Sequence, residues 1–450
     1  MKRTYFLLPL AAALVAVVPQ PLRACTGITL RAADGTGVVA RTIEWGGSDL
    51  NSRYVVVPRG YARRSFTPDG MDGMLFTARY GYVGLSVERE EFVAEGLNEE
   101  GLSAGLFYFP GYGEYEAYDP ARKEESIADL QLVSLGLGAC RTIDEVKELL
   151  GNVRVIGIDP RASTVHWRFA DVSGRQVVLE IVDRHAVFYE NELGVLTNSP
   201  GFEWQLTNLN NYVNLYPGSA PERRMEGVRL AAFGAGSGML GLPGDVTPPS
   251  RFVRAAFYQT TAPQRATAFD AVLQCFQILN NFDIPVGVEF PQGELPADIP
   301  SATQWTSATD PAGRTIYYRT MYDSTIRSID LRAIDFGQVR YRSEPLDEVR
   351  RQPVVPDRIA AALRAAVSIT AGDGAAGGPS PPFRPASNPG RFVGRTRNVS
   401  AETPLLQKGG RGVFFMVRRF RTGCSQVRRG GPFRNLRRII RLSGIRSSRS

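Results

Sequence analysis

The stretch Leu22-Arg23-Ala24-Cys25-Thr26-Gly27 constrains this chain more than any other. Ahead of it come Lys2 and Arg3, an apolar run of 14 residues from Tyr5 to Val18, and then Pro19 to Ala24. Charge, apolar run and small residue in that order are the layout of a secretion signal. The run is too short to span a bilayer, which takes roughly 20 residues. A cut between Ala24 and Cys25 would release a domain that begins with cysteine, exported to a periplasm or secreted. Such a residue carries a thiol and a free α-amine on adjacent carbons. The thiolate is the nucleophilic form, and an amine with pKa of about 8 can take the proton of a thiol near about 8.5. Two other readings fit the same position. One is a buried or disulfide-bonded cysteine behind a leader. The other is a lipoprotein box, Leu-x-Ala-Cys, whose lipid would block both groups; Arg23 suits that box poorly.

Charge divides the chain. Residues 351–450 hold 19 Arg and one Lys against Asp357, Asp373 and Glu402, a net +17 that leaves −9 for residues 1–350. The overall +8 therefore belongs to the tail and is no sign that the body binds nucleic acid. A tail with this charge and scattered aromatics is suited to nucleic acid or anionic lipid, or is an extension without function. Its Ala/Gly/Pro/Ser-rich first part, 361–389, shows neither helical nor strand period, and disorder is the default for such composition. The expected domains are thus a signal at 1–24, a catalytic body at 25–345 and a basic tail at 346–450. The four cysteines, Cys25, Cys140, Cys275 and Cys424, are too far apart for a disulfide framework. With only His166 and His185 present, the usual zinc sites lack ligands, so neither metal nor cofactor is expected. His166, mid-strand beside Trp167, reads as a core or supporting histidine.

The body opens in β pattern. Ile28 and Leu30 alternate with polar residues, Asp34-Gly35 signals a hairpin turn, and Gly37 to Ile43 runs back. That fold brings Arg41 and Glu44 to the level of Cys25, although strict alternation puts only one of them on its face unless a bulge intervenes. A cation beside a thiol favours thiolate, and a carboxylate beside an amine can orient it. Short strands are expected at 53–57, 74–80, 92–94 and 102–109, a helix at 126–137, and a capping box at Thr142 opening a helix to Leu150. Strands follow at 164–170, 176–182 and 186–189. The glycines of 234–238 imitate a nucleotide-binding loop but lack its strand-to-helix setting. Ser250 reads as the N-cap of a helix to about Gln259, behind a stiff Pro248-Pro249. Arg251 then falls in a first turn, where the helix dipole disfavours a cation. A helix at 268–280 and strands at 314–322 and 326–334 complete the body.

Taken together, Cys25-Thr26-Gly27, Ala40-Arg41-Thr42-Ile43-Glu44-Trp45, Glu95-Gly96-Leu97-Asn98-Glu99-Glu100-Gly101-Leu102, Leu196-Thr197-Asn198-Ser199-Pro200 and Leu242 to Phe252 resemble the choloylglycine hydrolase and penicillin V acylase family. These linear-amide hydrolases are N-terminal-nucleophile hydrolases. The resemblance implies an α+β fold, a four-layer αββα sandwich of two antiparallel sheets, and hydrolysis of an amide between an acyl group and an amine. By the same resemblance Cys25 is the nucleophile, Arg41 the arginine beside its sulfur, Asn198 an oxyanion donor and Arg251 the arginine completing the polar site. Glu44 stands where the family usually has aspartate. Tyr108 stands where bile-salt hydrolases have asparagine and where penicillin V acylases can carry tyrosine; it acts through its backbone N–H or lines the acyl pocket. A penicillin V acylase is the expectation, with bile-salt hydrolase or N-acyl homoserine lactone acylase as alternatives. The implied partners are a small N-acyl amide and further copies of the chain.

Overall fold

The computed structural model describes residues 23–158, 163–291, 293 and 302–351. The expectations for residues 1–22 and for the tail past 351 lie outside the described residues. In chain order the strands of the two large sheets are β1 (Arg23–Arg31), β2 (Gly37–Trp45), β3 (Arg53–Val57), β4 (Tyr82–Ser86), β5 (Val93–Asn98), β6 (Ser103–Tyr108), β7 (Val165–Ala170), β8 (Gln176–Val182), β9 (His185–Glu190), β10 (Ala302–Asp310), β11 (Thr315–Thr320), β12 (Arg327–Asp330) and β13 (Arg342–Pro345). Five of them form a sheet in the order β1-β2-β10-β11-β12, and eight form a second in the order β9-β8-β7-β6-β5-β4-β3-β13. Every neighbouring pair is antiparallel.

Each sheet is apolar on the face it turns to the other, so the two stack, and helices close the outer faces. α1 (Leu132–Ala139) packs on β5 and β6, α2 (Ile143–Leu150) and α3 (Phe202–Asn208) follow in the chain, and α4 (Pro248–Thr261) and α5 (Ala268–Leu279) cover β1, β2 and β10. The result is the four-layer α+β sandwich. The sheets approach each other tightly at Gly27, where an added Cβ would lie 3.0 Å from the Phe107 ring. A side chain there would push the layers apart, and glycine lets them meet.

The β1–β2 hairpin forms where turn chemistry asks for it. Asp34 Oδ1 accepts the N–H of Thr36 at 2.9 Å, and Gly35 takes φ 90°. Two local expectations are corrected. The apolar stretch 126–137 is not one helix. Ser126–Ala128 is a strand paired in parallel with Arg154–Ile156, Asp129–Gln131 is a 3-10 turn, and only then does α1 begin. A fully buried run has no polar face to set its period, so strand and helix read alike. The second correction moves the start of α4 upstream: Thr247 is its N-cap, and Pro248 and Pro249 are its first turn rather than an approach. Proline fits there because first-turn N–H groups need no intrahelical partner. Ser250 instead donates to Asp245 Oδ2 at 2.6 Å.

Beyond β13 the chain stays attached to the body. Leu346 is buried, its N–H donates to Ser52 O at 3.0 Å, and Asp347 pairs with Arg327 at 2.9 Å. Removing Leu346 from the core costs about 2 kcal/mol, and losing the partly buried Arg327–Asp347 pair adds about 1. A chain ended after Arg351 should therefore melt with the full-length protein. One ended after Pro345 should melt about 5 °C lower in a calorimetric scan.

Candidate active site

Register places the cysteine. Cys25 pairs with Ile43, Gly27 with Arg41 and Ala24 with Glu44. Alternation then sends Cys25 and Arg41 to the face between the sheets, and Thr26, Thr42 and Glu44 to the face under α4. Cys25 is buried, as are Arg41, Glu44, Asn198 and Arg251. The bulge that would have put Arg41 and Glu44 together lies elsewhere, in β10 between Thr303 and Trp305.

Between the sheets, Arg41 Nη2 donates to Cys25 Sγ at 2.8 Å. The rest of the guanidinium is held by carbonyls: Nη1 donates to Ala94 O at 3.1 Å and to Leu106 O, and Nε to Thr42 O at 3.2 Å. Phe107 lies under it, 4.1 Å from Cζ to the ring centroid. Its charge is balanced by Glu95 at 3.8 Å, which is in turn bound to Arg168 Nη2 at 2.5 Å. Glu95 fits because residue 105 is glycine; a Cβ there would clash with Glu95 Oε2. In the sequence Glu95 stands only at the head of the Glu95–Leu102 motif, and Arg168 belongs to none of the motifs. A cation flanked by Trp167 and Phe169 in a buried strand was the signal available for it.

Under α4, Arg251 Nη1 donates to Cys25 O and to Thr26 Oγ1, the latter at 2.8 Å, and Nη2 donates to Asn198 Oδ1 at 2.7 Å. Asn198 Oδ1 also accepts the Cys25 N–H at 2.8 Å. Asn198 Nδ2 donates to Tyr108 O at 2.7 Å, and the Tyr108 N–H faces the Cys25 sulfur. Asn198 reaches β1 because Leu196 pairs with Gly27 along its free edge. Behind it, His166 is buried with Nε2 3.0 Å from Thr197 O and Nδ1 3.1 Å from Glu180, its ring stacked on Phe109. The structure thus gathers Cys25, Arg41, Asn198, Arg251 and the Tyr108 backbone around one atom group. Glu44 lies on the Arg251 side of β1, opposite Arg41, with Thr303 Oγ1 donating to its Oε1 at 3.3 Å.

Burial pushes the Cys25 thiol above its ordinary value. Arg41 opposes that most strongly, Glu44 pushes it further up, and the Tyr108 N–H and Arg251 pull it down. Burial also lifts the Glu44 carboxyl to about 7, against the pull of Arg251, Thr42 and Arg41. It lowers Arg251, which Glu44 and Cys25 partly restore. Cys25 opens on a cavity of about 530 Å³ whose wall includes Ile43, Leu106, Tyr108, Leu130 and Val165. Phe107 and Phe109 are fully buried while Tyr108 lines the cavity, as alternation along β6 requires. Among the described residues no group of three His, Cys, Asp or Glu side chains is placed to hold a metal. A held sulfur, a held backbone nitrogen and converging N–H donors beside an apolar cavity are the parts an acyl transfer uses.

The fold is the N-terminal-nucleophile hydrolase sandwich. The chain belongs to the linear amide C-N hydrolases, choloylglycine hydrolase family, whose family model matches residues 25–342. It is 31% identical over 313 residues to a bile salt hydrolase/transferase of Clostridium perfringens, covering 68% of this chain and 92% of that one. The bile salt hydrolase/transferase of Lactiplantibacillus plantarum is 31% identical over 303 residues, covering 66% and 90%. Among solved structures, a mutant of the conjugated bile acid hydrolase from Clostridium perfringens superposes with a TM-score of 0.64 at 27% identity, covering 74% of this chain and 99% of that one. The penicillin V acylase from Agrobacterium tumefaciens does so with 0.59 at 22%, covering 74% and 94%, and shares the fold.

Glu44 gives a test of this electrostatics. Its folded pKa of about 7 exceeds the ordinary 4.5, so the native state keeps a proton that the unfolded chain releases. The stability that proton contributes is complete below about 4.5 and lost as pH rises through 7. Wild-type stability relative to Glu44→Gln should accordingly fall, by on the order of 3 kcal/mol between pH 4 and pH 8. Urea melts at a series of pH values measure it; a pH-independent difference would refute the shift.

Proposed function

We propose that the chain is an exported amidohydrolase that cleaves a linear amide through Cys25 as its N-terminal residue. The observation that carries this reading is the double hold on Cys25, its sulfur 2.8 Å from Arg41 and its backbone nitrogen 2.8 Å from Asn198. In the uncut chain that nitrogen is a peptide N–H, standing in for the α-amine that removal of residues 1–24 would create. A thiol pushed up by burial rests protonated and needs a base at the moment of attack. The α-amine is the base within reach. It takes the thiol proton as Sγ bonds to the substrate carbonyl carbon. The oxyanion forms against the Tyr108 N–H and the second N–H of Asn198, donors of a kind worth a few kcal/mol (about 3) each. The ammonium then protonates the leaving nitrogen, the C–N bond breaks, and a thioester remains on Cys25. Water, giving its proton to the same amine, attacks the thioester and frees the carboxylic acid and the thiol.

The acyl group we favour is phenoxyacetyl, as in penicillin V. Tyr108 lines the cavity together with Trp45 and Phe92, and aryl stacking is worth about 0.5–1.5 kcal/mol. The second reading is a conjugated bile acid, supported by the names of the relatives at 31% identity. By family resemblance the partners are the small N-acyl amide and further copies of the chain, and the setting is the periplasm or outside.

Cys25→Ala should abolish turnover, and Cys25→Ser should leave little, since a hydroxyl is far harder for such an amine to activate. Any residue kept before Cys25 should also inactivate, because the base becomes an amide. Full activity with the leader uncut would defeat the mechanism. On the substrate, penicillin V should be cleaved faster than glycocholate by roughly two- to tenfold, and Tyr108→Asn should narrow the ratio. Faster turnover of glycocholate would favour the second reading.

A further inference from the structure

Asp129 is a carboxyl for which the chemistry above has no use. It opens the 3-10 turn Asp129–Gln131, is 4% exposed, and lines the same cavity as Cys25 and Tyr108. Leu106, Leu130 and Val165 line that wall, which also holds Glu44, Glu88 and Ser163. Oδ1 accepts the N–H of Leu130 at 2.8 Å. The Tyr115 hydroxyl leans on the carboxyl but is already committed: it accepts the Val165 N–H at 2.7 Å and lies 3.1 Å from Val165 O. A hydroxyl has one proton to give, so serving Asp129 would cost it Val165 O. Among the described residues no cation forms an ion pair with Asp129, and burial lifts the carboxyl to about 7. An acid in an apolar wall is costly to keep unless something satisfies it.

We propose that Asp129 is the polar end of the acyl-binding cavity and, between acyl groups of one skeleton, selects the one that carries a hydroxyl remote from the scissile amide. The proposal rests on reading Cys25 as the nucleophile of an amidohydrolase. A hydroxyl is the group that suits this position, because it donates to a carboxylate and accepts from a carboxylic acid. An acidic substituent would be repelled by the ionised form. A plain alkyl or aryl group would displace water from Asp129 and return no hydrogen bond, and a site built for a hydroxyl rejects such analogues more firmly than an apolar pocket rejects an extra one.

The test uses enzyme that begins at Cys25 and two matched pairs of amides of one amine: phenoxyacetyl against 4-hydroxyphenoxyacetyl, and octanoyl against 8-hydroxyoctanoyl. Wild type should favour the hydroxylated member of at least one pair by about tenfold in kcat/KM. Asp129→Leu should erase that preference. Asp129→Asn, which keeps the volume and still donates and accepts, should retain part of it and serves if the leucine variant does not fold. No preference in wild type, or one unmoved in either variant, overturns the proposal. Calorimetric binding of the four free acids to Cys25→Ala protein separates the two readings. If no amide is cleaved, the hydrolase reading fails, while the ranking of acids still decides the role of Asp129.

Discussion

Two buried guanidinium groups, one on each face of β1, fix where Cys25 can be. Arg41 holds its sulfur from between the sheets, and Arg251 holds its carbonyl from under α4. Burying a guanidinium is expensive unless its donors and its charge are answered nearby. Much of the surrounding architecture meets that demand. Carbonyls of β5 and β6 turn to Arg41, Phe107 lies against it, and Glu95 supplies charge through a space that only glycine at 105 leaves open. On the other face Glu44, Thr26 and Asn198 do the same for Arg251.

The arrangement also explains why one residue can be both rigid and reactive. Arg41 and the Tyr108 N–H favour thiolate, while burial and Glu44 favour thiol, and burial is the largest of the four. The balance therefore lies with the thiol, and the attack proposed for Cys25 needs a base. A permanent thiolate between two arginines would be a stronger ion pair and a poorer nucleophile.

How much of this was legible in the sequence depends on the range over which each feature is encoded. The β1–β2 hairpin is local: Asp34-Gly35 and alternation predict it, and the same alternation separates Arg41 from Glu44 as the register shows. Asn198 and Arg251 stand 173 and 226 residues from Cys25, so no periodicity could bring them to it, and only the family resemblance did. Strand β10 was missed although it is central in its sheet. Its Thr-Gln-Trp-Thr-Ser-Ala-Thr pattern looks polar, yet those hydroxyls are buried between β2 and β11. The 126–128 strand was hidden by the opposite cause, a run apolar on all sides. Asp129 gave no signal at all, since a lone acid gains meaning only when a cavity is seen beside it.

The central claim is that Cys25, as the first residue of the mature chain, carries the acyl group during turnover. Rapid acid quench during hydrolysis of a slow amide, followed by peptide mass spectrometry, tests it directly. The account predicts an N-terminal peptide that begins at Cys25 and bears the acyl mass as a hydroxylamine-labile thioester. A peptide still carrying Ala24, one bearing a diacylglyceryl group, or an acyl group found on any other residue would contradict it.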